Sequence, residues 1–543
     1  MNSQFQKFFN FRFLFLLLPF AYYLFYAHYG LDDIDGGYVT ALAWRIYSGE
    51  IPYKDFIVVR PPLFIYLHSW TMYLLPANMV IISERFLVYI SFAIFSFISG
   101  EIIQRNFDLA KYQIDRWLLA CIFFVFSVHN FPPMPWHTTD GILLGTVGIY
   151  LLTCTEGMAG LAVGMLFLLA SALCKQSFYP MPLIGLGFIL FSRGWKKLFI
   201  SGIIFAAALA LLIFFANRSG LLAPFLFWTN GSTKLSDLLM AGVWNYLKTN
   251  PRIYLSIIIS FFIIQFAVNR ILKKQIETGW IVPYYFLVIF ALIIYKSFSP
   301  ERVHFQPNYP QVFFMAVVIM LLLENKFRKP GKEILILFFM LALAWCASIS
   351  WGYMTPLLYA PPLLFGIFRL TMVHLNFSKP KFLYRFILFG GLIAYFFSYQ
   401  APYSDSRRSN LTYDMGTVFP KLCCIKSDKE TFDKYSELKG LAIIYHNNFK
   451  TLPSMPLSNY LCDSQSPLGL DWVMDIEVNR HEELLMKELE SKQSAIFLEK
   501  NPVFKINSWK WGSKLSVQIS QQWKLAAETN YFRVYLPSER SNY

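Results

Sequence analysis

"FRFLFLLLPFAYYLFYAHYGLDDIDGGYVTALAWRIYSGEIPYKDFIVVRPPL" (residues 11–63) runs from an apolar stretch straight into Asp32, Asp33 and Asp35. Residues 10–28 are apolar enough for a first membrane helix. They follow a basic start and lack a small-x-small cleavage site, so they are read as an uncleaved span. The acids that follow then stand at a membrane face. Beyond them, Val39, Leu42, Ala43 and Ile46 fall at helical spacing and predict an amphipathic helix lying in the interface. Gly49 ends that helix and Pro52 prevents its continuation. Pro61 and Pro62 open a second apolar-aromatic segment, "LFIYLHSWTMYLLP", suited to lying on the membrane or re-entering it. Together the two segments would roof the lipid headgroup region.

The rest of the chain agrees with a membrane setting. Of 543 residues, 56% are hydrophobic and 15% charged, and Phe occurs 55 times; soluble domains carry about 25% charged residues. Mean hydropathy is +0.43. Apolar segments of spanning length recur near 10–28, 78–103, 117–132, 140–155, 159–174, 178–193 and 198–217. Others follow near 251–268, 279–296, 310–324, 333–351, 355–373 and 383–400, about 13 in all. The net charge of +15 is spread over short basic runs between these segments, which orients helices and excludes a nucleic-acid partner. Arg105, Lys111 and Arg116 form one run, Arg193, Lys196 and Lys197 the next, then Arg270, Lys273 and Lys274. Lys326 to Lys332 and Lys379 to Arg385 continue the alternation. It predicts an α-helical polytopic membrane protein with its N-terminus inside and its C-terminus outside. Residues 1–400 form the transmembrane domain, with external loop 29–77, and 401–543 a small external α/β or α+β domain. In that domain "LAIIYH", "SAIFLEK" and the terminal "YFRVYLP" read as strands around a helical "RHEELLMKELESK".

Several residues in external segments have the chemistry of a site. "D-G-G-Y…A…I..G..PY.DF…RPPL" resembles the first external loop of GT-C class glycosyltransferases. The likeness is to bacterial relatives of protein O-mannosyltransferases and lipid A aminoarabinose transferases, the family 39-like branch. Counting back from Pro52 through Gly49 and Ala43 puts the family's aspartate at Asp35. The acid that usually follows it falls on Gly36, which leaves Asp33 or Asp32 as substitutes. The resemblance implies an inverting transfer of a sugar from a polyprenyl-phosphate donor to an acceptor hydroxyl, on the outer face of the cytoplasmic (inner) membrane. Asp35 would be the general base. The leaving phosphate needs cationic or hydrogen-bonding partners. Arg60 before Pro-Pro-Leu, Lys175 in "CKQSFYP", and Arg302 and His304 in "ERVHFQPNYP" occupy family-like positions for that role.

Asp140, after "PWHTT", reads equally as a second catalytic carboxylate and as the N-cap of the next helix. If a metal takes part, Asp35 and Asp140 with His137 nearby would hold Mg2+ or Mn2+, since hard carboxylate oxygens suit those ions. The acceptor, a glycan, lipid or protein, has no readable motif. A transporter or flippase for a lipid-linked solute is the alternative from another class. The long first loop, the external tail and the lack of mid-span charges weigh against it. In an oxidising compartment Cys462 is a candidate to pair with Cys423 or Cys424, leaving one thiol over.

Overall fold

In the computed structural model, residues 11–109, 114–128, 133–230, 251–271, 331–349, 356–374, 405–478, 481–501 and 513–537 are described, with a few isolated positions between them. The apolar segments are helices: α1 (Phe11–Tyr26), α2 (Asp35–Tyr47), α3 (Leu63–Leu74), α4 (Val80–Asn106), α5 (Arg116–Val128) and α6 (His137–Cys154). They continue as α7 (Met158–Ala172), α8 (Pro180–Arg193), α9 (Trp195–Arg218), α10 (Leu222–Thr229), α11 (Pro251–Ile271), α12 (Lys332–Ser348) and α13 (Pro361–His374). Among the described helices, α4 and α9 are long and apolar enough to cross a membrane by length and composition. Shorter apolar helices are α1, α5, α7 and part of α11. The expected spans at 279–296, 310–324 and 383–400 lie almost wholly outside the described residues.

Two features of these helices stand out. Along α9 only Ser201 is buried, and Phe199, Phe214 and Phe215 stand at least 60% exposed; a contiguous apolar face of that kind is unstable against water. Where α6 crosses α7, a Cβ on Gly148 would meet Leu168 at 2.7 Å and the Gly164 carbonyl at 3.0 Å. Small residues thus let the two backbones approach closely and pack by dispersion.

Helix α4 sorts charge between its ends. Near its start Arg85 donates to the carbonyls of Ala27 (2.5 Å) and Gly30 (2.7 Å), pinning the turn that leads to Asp32. Near its end Glu101 pairs with Arg105 and Arg116, each at 2.7 Å. Sixteen residues at about 1.5 Å each separate these groups by roughly 24 Å. The basic run of the sequence therefore collects at the end away from the acids.

The first loop holds one departure from the sequence reading. Helices α2 and α3 form where expected, and Gly49 stops α2 at φ +90°. Yet α2 does not lie open in an interface. Asp35 through Ala43 are all buried, because residues of the C-terminal segment cover the helix: Leu457 lies against Gly37, Tyr460 against Trp44 and Trp472 against Tyr38. The apolar periodicity was burial under protein. It is α3 that presents an aromatic and aliphatic outer face, with Trp70 65% and Leu74 74% exposed.

The C-terminal segment folds around a mixed four-stranded sheet. Its strands are β3 (Phe449–Leu452), β4 (Ala495–Glu499), β5 (Lys524–Glu528) and β6 (Phe532–Leu536), in the order β3-β4-β6-β5; the two-residue strands β1 (Tyr413–Asp414) and β2 (Lys426–Ser427) pair separately. β3 runs parallel to β4, and β6 antiparallel to both its neighbours. The expected strand at "LAIIYH" is instead the end of α14 (Lys429–Ile444). Asp428 starts it by accepting from Thr431 N at 2.9 Å, and Tyr435, Leu438, Leu441 and Ala442 are buried at helical spacing. "SAIFLEK" and "YFRVYLP" are strands, and "RHEELLMKELESK" contains α15 (Glu482–Lys492).

Candidate active site

Three neighbouring acids at the start of α2 have three different employments. Asp32 caps the helix: its carboxylate accepts from the amides of Ile34 (3.1 Å), Asp35 (3.3 Å) and Gly36 (2.7 Å), which the helix itself leaves without partners. Asp33 turns toward the C-terminal segment, accepting from the Tyr435 hydroxyl and, at 2.9 Å, from Leu457 N. Burial pushes its carboxyl up to about 8, although both donors favour the ionised form. Asp35 occupies the first turn of α2, buried at 7% exposure.

Gly36 stands where the resemblance places a second acid. A Cβ there would lie 2.8 Å from Asp32 Oδ2 and 2.9 Å from Met134 Cβ. The cap and the loop before α6 fill the position, so glycine is what fits.

Arg60 and Lys175, far apart in sequence, are brought together by backbone stitching. Gln176 Nε2 donates to Val59 O at 2.5 Å, Leu63 N to Leu173 O at 3.1 Å, and the Tyr53 hydroxyl to Arg60 O. The Arg60 guanidinium binds Glu477 at 2.7 and 3.3 Å and lies over the rings of Tyr38 (5.3 Å) and Trp472 (5.9 Å). Lys175 Nζ donates to Thr138 Oγ1 at 2.9 Å and lies 5.2 Å from the centre of the Trp136 ring. Both cations are buried, and the charge of Asp35 acts on both. Burial pushes the Lys175 ammonium down to about 7, with Arg60 adding to the effect and Asp35 and Glu477 opposing it. Burial also works against the charge of Arg60, but Glu477 and its neighbours more than offset that and hold the guanidinium protonated.

A second cluster surrounds Asp140, which lies inside the first turn of α6, whose N-cap is Trp136. Its Oδ2 meets His68 Nε2 at 3.1 Å, while His68 Nδ1 meets Glu84 at 2.6 Å and Thr71 donates to the same carboxylate at 2.5 Å. Burial disfavours the imidazolium, yet the two carboxylates raise the His68 pKa well above its ordinary value. His137 is buried between this cluster and the cationic pair, its ring 5.3 Å from Phe64 and 5.7 Å from Trp136.

Among the described residues no group of three or more His, Cys, Asp or Glu is arranged to hold a metal ion. The reason is visible at His68: Glu84 and Asp140 approach opposite nitrogens of one ring, so the three ligand types do not converge on a point. Arg302 and His304 lie outside the described residues. The structure thus brings Asp35, Arg60 and Lys175 into one buried neighbourhood, sets Asp140 beside it on His68, and engages Asp33 with Tyr435. Glu477, Trp472, His68 and Glu84 were not singled out by sequence. His68 and Glu84, polar residues within apolar runs, carried the one signal that could have found them.

The chain is similar to the crystal structure of ArnT from Cupriavidus metallidurans bound to undecaprenyl phosphate, with a TM-score of 0.40 and 9% identity over 97% of this chain and 98% of that one. No family model matches the chain, and no curated protein matches it.

Proposed function

We propose that the protein is an inverting glycosyltransferase that moves a sugar from a polyprenyl-phosphate donor to an acceptor hydroxyl at the outer face of the cytoplasmic membrane. The observation that carries this reading is a buried neighbourhood in which the charge of Asp35 acts on Arg60 and Lys175, a carboxylate and two cations among Tyr38, Trp136 and Trp472. In the proposed reaction Asp35 removes the acceptor's hydroxyl proton as its oxygen attacks the anomeric carbon. The bond from that carbon to the phosphate oxygen breaks on the opposite face. Polyprenyl phosphate leaves, its charge held by Arg60 and Lys175 in surroundings where burial strengthens each interaction. Apolar helices α4 and α9 and the outer face of α3 support a membrane setting for a lipid-linked donor.

Purified Asp35→Asn protein tests the base. It should insert and bind polyprenyl phosphate as wild type does, while sugar transfer from a radiolabelled polyprenyl-phosphate donor falls by about 100-fold or more. Transfer at the wild-type rate would remove Asp35 from the mechanism.

A further inference from the structure

Cys423 and Cys424 are consecutive, and their sulfurs lie 3.3 Å apart. Successive side chains in extended backbone point to opposite sides, so two adjacent thiols ordinarily diverge. Here Cys424 has φ +66°, a left-handed conformation disfavoured for an L-residue, and the two sulfurs come together. The turn is fixed from several directions. Cys423 N donates to Pro420 O at 3.0 Å and Ile425 N to Leu422 O at 3.1 Å. His28 Nδ1 meets the Cys424 carbonyl at 3.0 Å. Beyond it, Lys426 N donates to His28 O at 2.7 Å and Gly30 N to Lys426 O at 2.8 Å.

Access separates Cys424 from the other cysteines, while Cys423 is half-buried like Cys154 and Cys462. Cys424 is exposed and Cys423 half-buried, whereas Cys121, Cys174 and Cys346 are buried. Cys462 is half-buried, with burial pushing its thiol up to about 12; the Cys424 thiol is raised as well, chiefly by its hydrogen bond with Cys423, so it is the contact between their sulfurs that marks the pair.

We infer that Cys423 and Cys424 form a reversible dithiol–disulfide couple, a redox site on the turn that anchors the C-terminal segment to residues 28–30. The oxidant is a disulfide, from a small molecule or a protein. The thiolate of one cysteine attacks it, forming a mixed disulfide and releasing one thiol. The thiolate of its neighbour then displaces the second thiol and closes the Cys423–Cys424 bond. Two protein thiols are oxidised, one disulfide is reduced to two thiols, and two protons pass from the protein thiols to the released ones. Adjacent Cα atoms sit about 3.8 Å apart, shorter than the usual disulfide span of about 4.4–6.8 Å. The closed ring is therefore strained and readily reduced, which suits a switch better than a permanent staple.

The full-length protein in detergent, equilibrated with mixtures of reduced and oxidised glutathione, tests this. After acid quenching, denaturation and N-ethylmaleimide labelling, peptides are weighed. The peptide holding both cysteines should lose both labels together, become lighter by two hydrogens and carry no second peptide, in a fraction that rises with oxidised glutathione. Cys462→Ser should leave that response unchanged, and Cys424→Ser should keep Cys423 from closing any ring. Labelling of both thiols at every glutathione ratio, or a cross-link from either to Cys462, would overturn the inference.

Discussion

Replacing Asp471 with asparagine would leave two buried cations facing a neutral amide. Asp471 accepts from Arg45 at 2.6 and 3.1 Å and from Lys450 at 2.8 Å, and the Lys450 side chain is wholly buried. Burial alone would raise its carboxyl; Arg45 and Lys450 reverse that and hold it at about 2 against an ordinary 3.8. That difference is worth about 2–3 kcal/mol in favour of the ionised form. The loss on substitution is larger, about 3–5 kcal/mol, because the cations lose their counter-charge without regaining water. Arg45 keeps Glu50 at 2.7 Å, so Lys450 suffers most, and Asp471→Asn/Lys450→Met should recover part of the loss. For a folding unit of this size, the single substitution should lower Tm by about 10 °C or more, read by tryptophan fluorescence of the full-length protein in detergent. The pH dependence has a definite sign. A depressed carboxyl contributes stability above pH 3.8 that is lost as pH falls toward about 2, and the asparagine variant lacks that slope. A Tm within about 2 °C of wild type, with no rescue by Lys450→Met, would refute the buried network as a source of stability.

Two other substitutions examine the site. If Lys175 holds the donor phosphate as an ammonium, kcat/KM should fall as pH rises through about 7, and Lys175→Arg should flatten that limb while retaining transfer. Gly36→Ala should destabilise the protein by about 1–3 kcal/mol in denaturant titration, since the added methyl displaces Asp32 or Met134.

Local chemistry was legible in the sequence. Gly49 and the Pro61-Pro62 pair delimit α2 and α3 because a left-handed stop and a helix-opening proline act within a turn of themselves. Alignment against Gly49 and Pro52 distinguished Asp35 from Asp32, which the structure shows as a cap. The cover over α2 was not legible, because burial under protein and burial in an interface give the same 3.6-residue pattern. Nor were the partners of Arg60, Asp33 and Asp140. Glu477, Tyr435 and His68 reach them through tertiary topology, and no spacing rule links residues that far apart. "LAIIYH" failed for a related reason: a short apolar run fits strand and helix alike, and the Asp428 cap decided it from thirteen residues upstream.

The pairing of Arg60 with Glu477 also sets a schedule. The two are 417 positions apart, and at about 5–20 residues per second a ribosome needs roughly 20–80 s to travel between them. During that interval the newborn first loop has Arg45 without Asp471, Arg60 without Glu477, and Asp33 without Tyr435. The buried neighbourhood of Asp35, Arg60 and Lys175 is therefore among the last parts of the molecule to mature. A truncated chain that ends before the sheet would retain Asp35, Arg60 and Lys175 and still lack the partners that cover and fix them, so the order of synthesis sets when this neighbourhood is complete.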